Sequence, residues 1–199
     1  MISDNNLIIL GSVAAAIILS SNKKNSGGKT ICPISSLDVS FGSYLNDNSL
    51  TRGLRNNNPG NIRRSGNDWI GKLPFNCSED SEFEQFYGLQ WGVRASMLNL
   101  NSYLNRGLSN IRDIISTWAP PEDNNNTEAY IDTVSRLTGI QEDRFLGNSI
   151  IESGKDIIFS LMSAIFAVEI TPPGTNINNS YSRIFSEFRP IYEWVWQSL

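Results

Sequence analysis

The sequence contains no histidine. That absence removes Ser–His and Cys–His nucleophile pairs and imidazole-rich zinc sites. Cys32 and Cys77 are too few and too far apart in sequence for a thiolate metal site. They are compatible with one disulfide in an oxidising space, or with two unrelated thiols. No metal and no cofactor is expected, and proton transfer falls to carboxylates, assisted by Tyr or Lys.

Glu169 is the carboxylate placed to do such work. It ends the stretch 155–169, KDIIFSLMSAIFAVE, which is apolar nearly all round. A helix of that kind belongs at the centre of a domain. Its terminal Glu then sits at a dry boundary, where desolvation raises a carboxyl pKa. A glycosidase acid needs this property, because it must hold a proton near neutral pH to deliver it to the leaving oxygen. The alternative is a Glu that ends the helix where the chain meets water.

Candidates for a second carboxylate cluster upstream, at Glu79, Asp80, Glu82 and Glu84. On a strand Glu82 and Glu84 share a face, and Glu82 is the first choice as a catalytic partner. A solvated turn and edge strand explains the same residues. Asn57, Asn58 and Asn61 carry amides that both donate and accept, which suits N-acetyl sugars, although such a run also builds turns. Trp69 could stack on a sugar face, and Glu122 could bind sugar hydroxyls. Tyr130 lies on an apolar stripe with its hydroxyl in reach of a cleft. These six residues are the candidate substrate contacts.

Several elements must position these groups. Leu89, Val93, Met97, Leu100 and Leu104 recur at helical spacing and predict one amphipathic helix. Ser109 is a plausible N-cap for a second helix with Ile111, Ile114, Ile115 and Trp118 facing inward, stopped by Pro120 and Pro121. Asn126 can cap a third, with Tyr130, Val134 and Leu137 on one face and Gly139 just past its end. Before the helices, 62–64, 69–70 and 83–86 read as short strands between turn signals. The expected fold class is therefore α+β and mainly helical, with a small β-lobe.

The chain divides into an anchor (1–24), a tether (25–50) and a domain (51–199). Residues 7–19, LIILGSVAAAIIL, would give about 20 Å of apolar helix, which Ser20, Ser21 and the flanking Lys23 and Lys24 extend towards a single membrane span. The polar tether is rich in Ser, Asn, Gly and Lys. With 16 basic against 20 acidic residues the net charge is -4, which argues against a groove that tracks nucleic-acid phosphates.

From Arg52 to Arg63 the chain reads RGLRNNNPGNIR, followed by Trp69 and Gly71, Phe83 and Phe86, then Gly92, Arg94 and Ala95, and finally the stretch from Trp118 through Pro120 and Pro121 to Tyr130. This ordered series resembles a phage and prophage family of virion structural proteins with a lysozyme-like domain. The resemblance covers about half of the chain. More faintly, the Asn–Asn turn before Trp-x-Gly is similar to a glucosaminidase pattern. The resemblance implies a virion-associated enzyme that cuts peptidoglycan glycan strands as a lytic transglycosylase or muramidase, with peptidoglycan and other virion proteins as partners. Combined with the anchor, it implies a membrane-associated virion protein that resides in the host inner membrane before assembly. The family closes its apolar helix with His-Glu-Asn-Gly. Here Val168, Ile170 and Thr171 surround the retained Glu169. An inactive structural or wall-binding virion protein is the first alternative, and an endolysin held by a signal anchor is the second.

Overall fold

The computed structural model describes residues 39–199. Their order is α1 (Arg52–Arg55), α2 (Leu89–Asn105), α3 (Ile111–Trp118), a 3-10 turn (Pro121–Asp123), α4 (Thr127–Thr138), α5 (Ile150–Ser153), α6 (Lys155–Ile170), α7 (Ile177–Glu187) and α8 (Arg189–Gln197). The helices enclose one main core, and the segment between α1 and α2 forms a lobe on one side of it.

Helix α6 is the axis. From Ile158 to Ala167 every residue but Ser160 is fully buried, as its all-round apolar sequence requires. It lies chiefly against α7 and α4, with α5 and α1 making further contacts. The predicted face of α2 is also dry: Leu89, Val93, Met97, Leu100 and Leu104 each have 0% exposure. That face belongs to the same core but leans on α8, α5 and α3. Pro190 falls within the first turn of α8, where a missing N–H costs nothing. The C-terminal segment therefore forms two helices, α7 and α8, and Tyr192 stacks on Phe159 at 5.0 Å between ring centroids.

Local capping sets the α3–α4 corner. The Asn110 side chain, one residue beyond the expected Ser109, accepts the Asp113 N–H at 2.9 Å. Asn and Ser are comparable N-caps, so the sequence pattern could not choose between neighbours. Asn126 caps α4 through the Ala129 N–H, and Gly139 ends it at φ +70°. That left-handed conformation suits a glycine at a helix C-terminus.

The expected β-lobe is corrected by the structure: the described residues contain helices and no strand. Two isolated antiparallel bridges, Arg63 with Phe83 and Lys72 with Phe86, are all that forms. The reason lies in the polar side chains, which take the backbone groups a ladder would use. The Asn58 side chain accepts the Ile62 N–H and donates to the Glu84 carbonyl, and the Asp80 carboxylate accepts from the N–H groups of Glu82 and Phe83. Glu82 and Glu84 consequently do not share a face, since Glu82 is exposed and Glu84 is buried.

The described residues give the transmembrane part of the expectation no support. No helix among the described residues is long and apolar enough to cross a membrane. The stretch 1–24, read above as an anchor, lies outside the described residues. The described end of the tether lies on the domain: Phe41, Tyr44 and Leu50 pack against the core, and Phe41 meets Trp194 edge-on at 6.1 Å. Cys77 is disulfide-bonded, and Cys32 lies outside the described residues.

Asp80 anchors the lobe to α1. Its oxygens take two hydrogen bonds from the Arg52 guanidinium, both at 2.7 Å, and one from the Asn56 amide at 2.8 Å. Burial alone would push its pKa up, but Arg52, Asn56 and the N–H groups of Phe83 and Glu82 outweigh that and hold it well below the usual carboxylate range. A depressed folded pKa contributes stability above the unfolded value, and that stability is lost as pH falls through the folded one. Asp80→Asn is expected to lower stability by about 2 kcal/mol at neutral pH, less than for a fully buried pair because Arg52 is partly exposed. Urea unfolding from pH 7 to pH 2 should show the difference shrinking once pH falls below about 3.9.

Candidate active site

Glu169 occupies the last turn of α6 and is almost enclosed, with its side chain still reaching the surface. Two other segments meet it there. The Tyr130 hydroxyl on α4 lies 2.9 Å from Oε1, and the Asn61 amide nitrogen donates to Oε2 at 2.8 Å. Among the described residues no cation forms an ion pair with it. Burial raises the Glu169 pKa more than the Asn61 and Tyr130 hydrogen bonds lower it. The same burial, then the Glu169 charge, pushes the Tyr130 hydroxyl well above its ordinary value. The arrangement favours a neutral carboxyl beyond the pH at which an exposed Glu ionises.

The Asn-Pro-Gly-Asn turn brings Asn61 to this place. The Asn61 N–H bonds to the Asn58 carbonyl at 2.9 Å, and its backbone sits at φ +45°, a left-handed conformation that Asn adopts more readily than most residues. Gly60 allows the turn to approach the core: a Cβ there would lie 2.6 Å from Ser96 Oγ and 2.8 Å from the Trp118 ring. Trp118 donates from its ring nitrogen to the Gly60 carbonyl at 3.2 Å. Gly92 on α2 does the same from below, since a Cβ there would come 1.9 Å from the Asn57 carbonyl oxygen. The spacing of Asn58-Pro59-Gly60-Asn61 and of Gly92 is thus a packing solution that delivers Asn61 to Glu169.

The other candidate contacts have different places. Asn57 and Asn58 are fully buried, and their amides are taken up inside the lobe. Asn57 bonds to the Tyr44 N–H, Ser43 and the Phe86 carbonyl, and Asn58 to both backbone groups of Ile62 and to the Glu84 carbonyl. Trp69 packs with Ile62, Phe86, Trp91 and Ala95 in the small core beneath the lobe. Glu122 is exposed on the 3-10 turn. Glu82 is exposed and tied to Arg52 at 2.8 Å. Of the eight candidates, the structure brings together Glu169, Asn61 and Tyr130.

Sequence reading missed Arg63. Its guanidinium pairs with Asp123 at 3.0 Å and lies over the Phe83 ring at 5.2 Å. It links the strand-like segment after Asn61 to the turn that leads into α4. Its position inside the RGLRNNNPGNIR stretch was the available signal. An open depression of ≈ 750 Å³ lined by Ser116, Pro121, Asn124, Asn125, Asn126, Thr127 and Glu128 lies beside the same turn and does not include Glu169. Among the described residues no group of acidic or cysteine side chains could hold a metal ion.

No family model matches the chain. Protein P5 of Pseudoalteromonas phage PM2 is 34% identical to it over 151 residues, a match that covers 74% of this chain and 83% of P5. The chain belongs to the P5 family. It is therefore a phage-type protein, as the resemblance in its sequence implied.

What the Glu169 centre of this P5-family member can do follows from its parts. It offers one carboxyl favoured in the neutral form and two fixed hydrogen-bonding partners, and among the described residues no other carboxylate hydrogen-bonds to it. A carboxyl so held can give up a proton and take one back.

Proposed function

We propose that this P5-family protein is a virion component whose helical domain cleaves peptidoglycan glycan strands, with Glu169 as a single general acid. Kinship with a phage protein supports the first half. The second half is carried by one observation: Glu169 is a nearly enclosed carboxyl, paired with no cation among the described residues and held by Asn61 and Tyr130 from two other segments. In this mechanism Glu169 gives its proton to the glycosidic oxygen as the C–O bond breaks. A hydroxyl of the same sugar attacks the anomeric carbon and returns its proton to the Glu169 carboxylate. No water is consumed and no second carboxylate is required, unlike hydrolysis by a carboxylate pair. The test combines detection of the protein in purified particles with a zymogram on peptidoglycan, where a cleared band at the mass of this chain is expected. Presence in particles without clearing would refute the enzymatic half.

A second reading, a structural virion protein without activity, has its own support. Both Glu169 oxygens already have hydrogen-bonding partners within the domain, a closed arrangement that also serves to pin α6, α4 and the Asn61 turn together. The residues around Glu169 depart from the His-Glu-Asn-Gly pattern. Kinship with a phage protein suits this reading better than the first.

A further inference from the structure

We propose that Asn61 is a positioning residue for Glu169, whose amide fixes Oε2 as an acceptor and leaves Oε1, facing Tyr130, to carry the proton. The inference rests on Glu169 being the acid for its catalytic meaning, but the hydrogen bonding that carries it is independent of activity. An amide N–H can only donate, so the oxygen 2.8 Å from Asn61 Nδ2 must accept.

The Tyr130 hydroxyl has one proton and two acceptors in reach, Glu169 Oε1 at 2.9 Å and the Ile165 carbonyl at 3.3 Å. When Glu169 is neutral, Oε1–H donates to the Tyr130 oxygen and Tyr130 turns its proton to Ile165. When Glu169 is ionised, Tyr130 donates to Oε1. Both protonation states are satisfied without moving a heavy atom, and the site holds a proton ready at one defined oxygen.

Two features of Asn61 indicate that it is placed for its donor. Its backbone occupies the left-handed region at φ +45°, where non-glycine residues are uncommon. Its carbonyl oxygen Oδ1 is buried without a hydrogen-bond partner among the described residues. A buried amide that leaves its acceptor unmet while its donor meets a carboxylate is oriented by that carboxylate. Tyr130 on α4 is the titratable group that bears on Glu169. Nearby on the α1 side, Thr51 donates to the Ile170 carbonyl, and Arg52 is engaged by Asp80 and Glu82.

The test is a carboxyl-carbon NMR titration of the whole chain labelled at Glu, with the Glu169 resonance assigned by its loss in Glu169→Gln. Asn61→Gly keeps the positive φ accessible and removes the amide. The Glu169 midpoint should rise by about 0.5–1 pH unit, because its ionised form loses one donor. A midpoint equal to that of the natural protein, with other Glu resonances unmoved, would overturn the proposal. If Asn61→Gly does not fold, Asn61→Asp decides instead. Its carboxyl facing Glu169 should give a coupled, two-step titration, and an unaltered single step would overturn the proposal. In peptidoglycan digestion the pH limit of activity should move in the same direction as the midpoint. A natural protein without activity would refute the proposed function and leave the titration to judge Asn61.

Discussion

Replacing Ile165 by Asp is expected to abolish the cooperative thermal transition at neutral pH. Ile165 is wholly enclosed on α6, one turn before Glu169, and its carbonyl accepts from Tyr130. A carboxylate there has no cation to meet and either stays charged in a dry core or takes up a proton. Either course costs about 4 kcal/mol or more, against about 5–15 kcal/mol for a whole domain of ordinary stability. Ile165→Val removes one methylene and should cost only about 0.5–1.5 kcal/mol. Circular dichroism melts of the two variants separate the cases. An Asp variant that melts near the natural protein would show that α6 is not the axis of the core.

Glu169→Gln should reduce cleavage of purified peptidoglycan by a factor of about a hundred or more, with the fold intact. Gln retains an oxygen to accept from Asn61 and an amide to donate to Tyr130, so it copies the neutral acid but has no proton to deliver. Its effect on stability has a defined sign. A folded pKa raised above the unfolded value gives stability that is complete below the unfolded value and lost as pH rises through the folded one. Glu169 is such a group, and Gln does not titrate. The variant should therefore melt at or above the natural protein at pH 7. That advantage should vanish below about pH 4, where Glu is protonated even in the unfolded chain. A variant less stable at pH 7 than at pH 4, relative to the natural protein, would show that the ionised carboxylate supports the fold.

The helices were legible because their signals are local. The repeat from Leu89 to Leu104, the cap at Asn126 and Gly139 after α4 each depend on residues a few positions apart. The lobe was not legible, because its ladder groups are claimed by side chains that arrive from elsewhere. Asn58 reaches Ile62 and Glu84, and Asp80 gathers Arg52 and Asn56 across 24 to 28 positions of sequence. An alternating pattern at 83–86 cannot reveal that competition. Within the site, Glu169 was visible from the apolar run it terminates and Tyr130 from its place on a stripe. Asn61 was visible as a turn residue, but its bond to Glu169 joins residues 108 positions apart. The adjacent Asn57 and Asn58 look alike in sequence and are consumed by the turn itself. Arg63 and Asp123 lie 60 positions apart and had no sequence pattern to connect them.

The most direct test of Glu169 as a single acid is mass spectrometry of the fragments released from purified peptidoglycan by the isolated protein. Attack by the sugar's own hydroxyl leaves glycan ends in the anhydro-muramic form, and those ends should dominate for the natural protein and be absent for Glu169→Gln. Ordinary reducing ends would contradict the single-acid mechanism and require a second carboxylate. No release of glycan fragments would contradict cleavage altogether and leave a structural member of the P5 family.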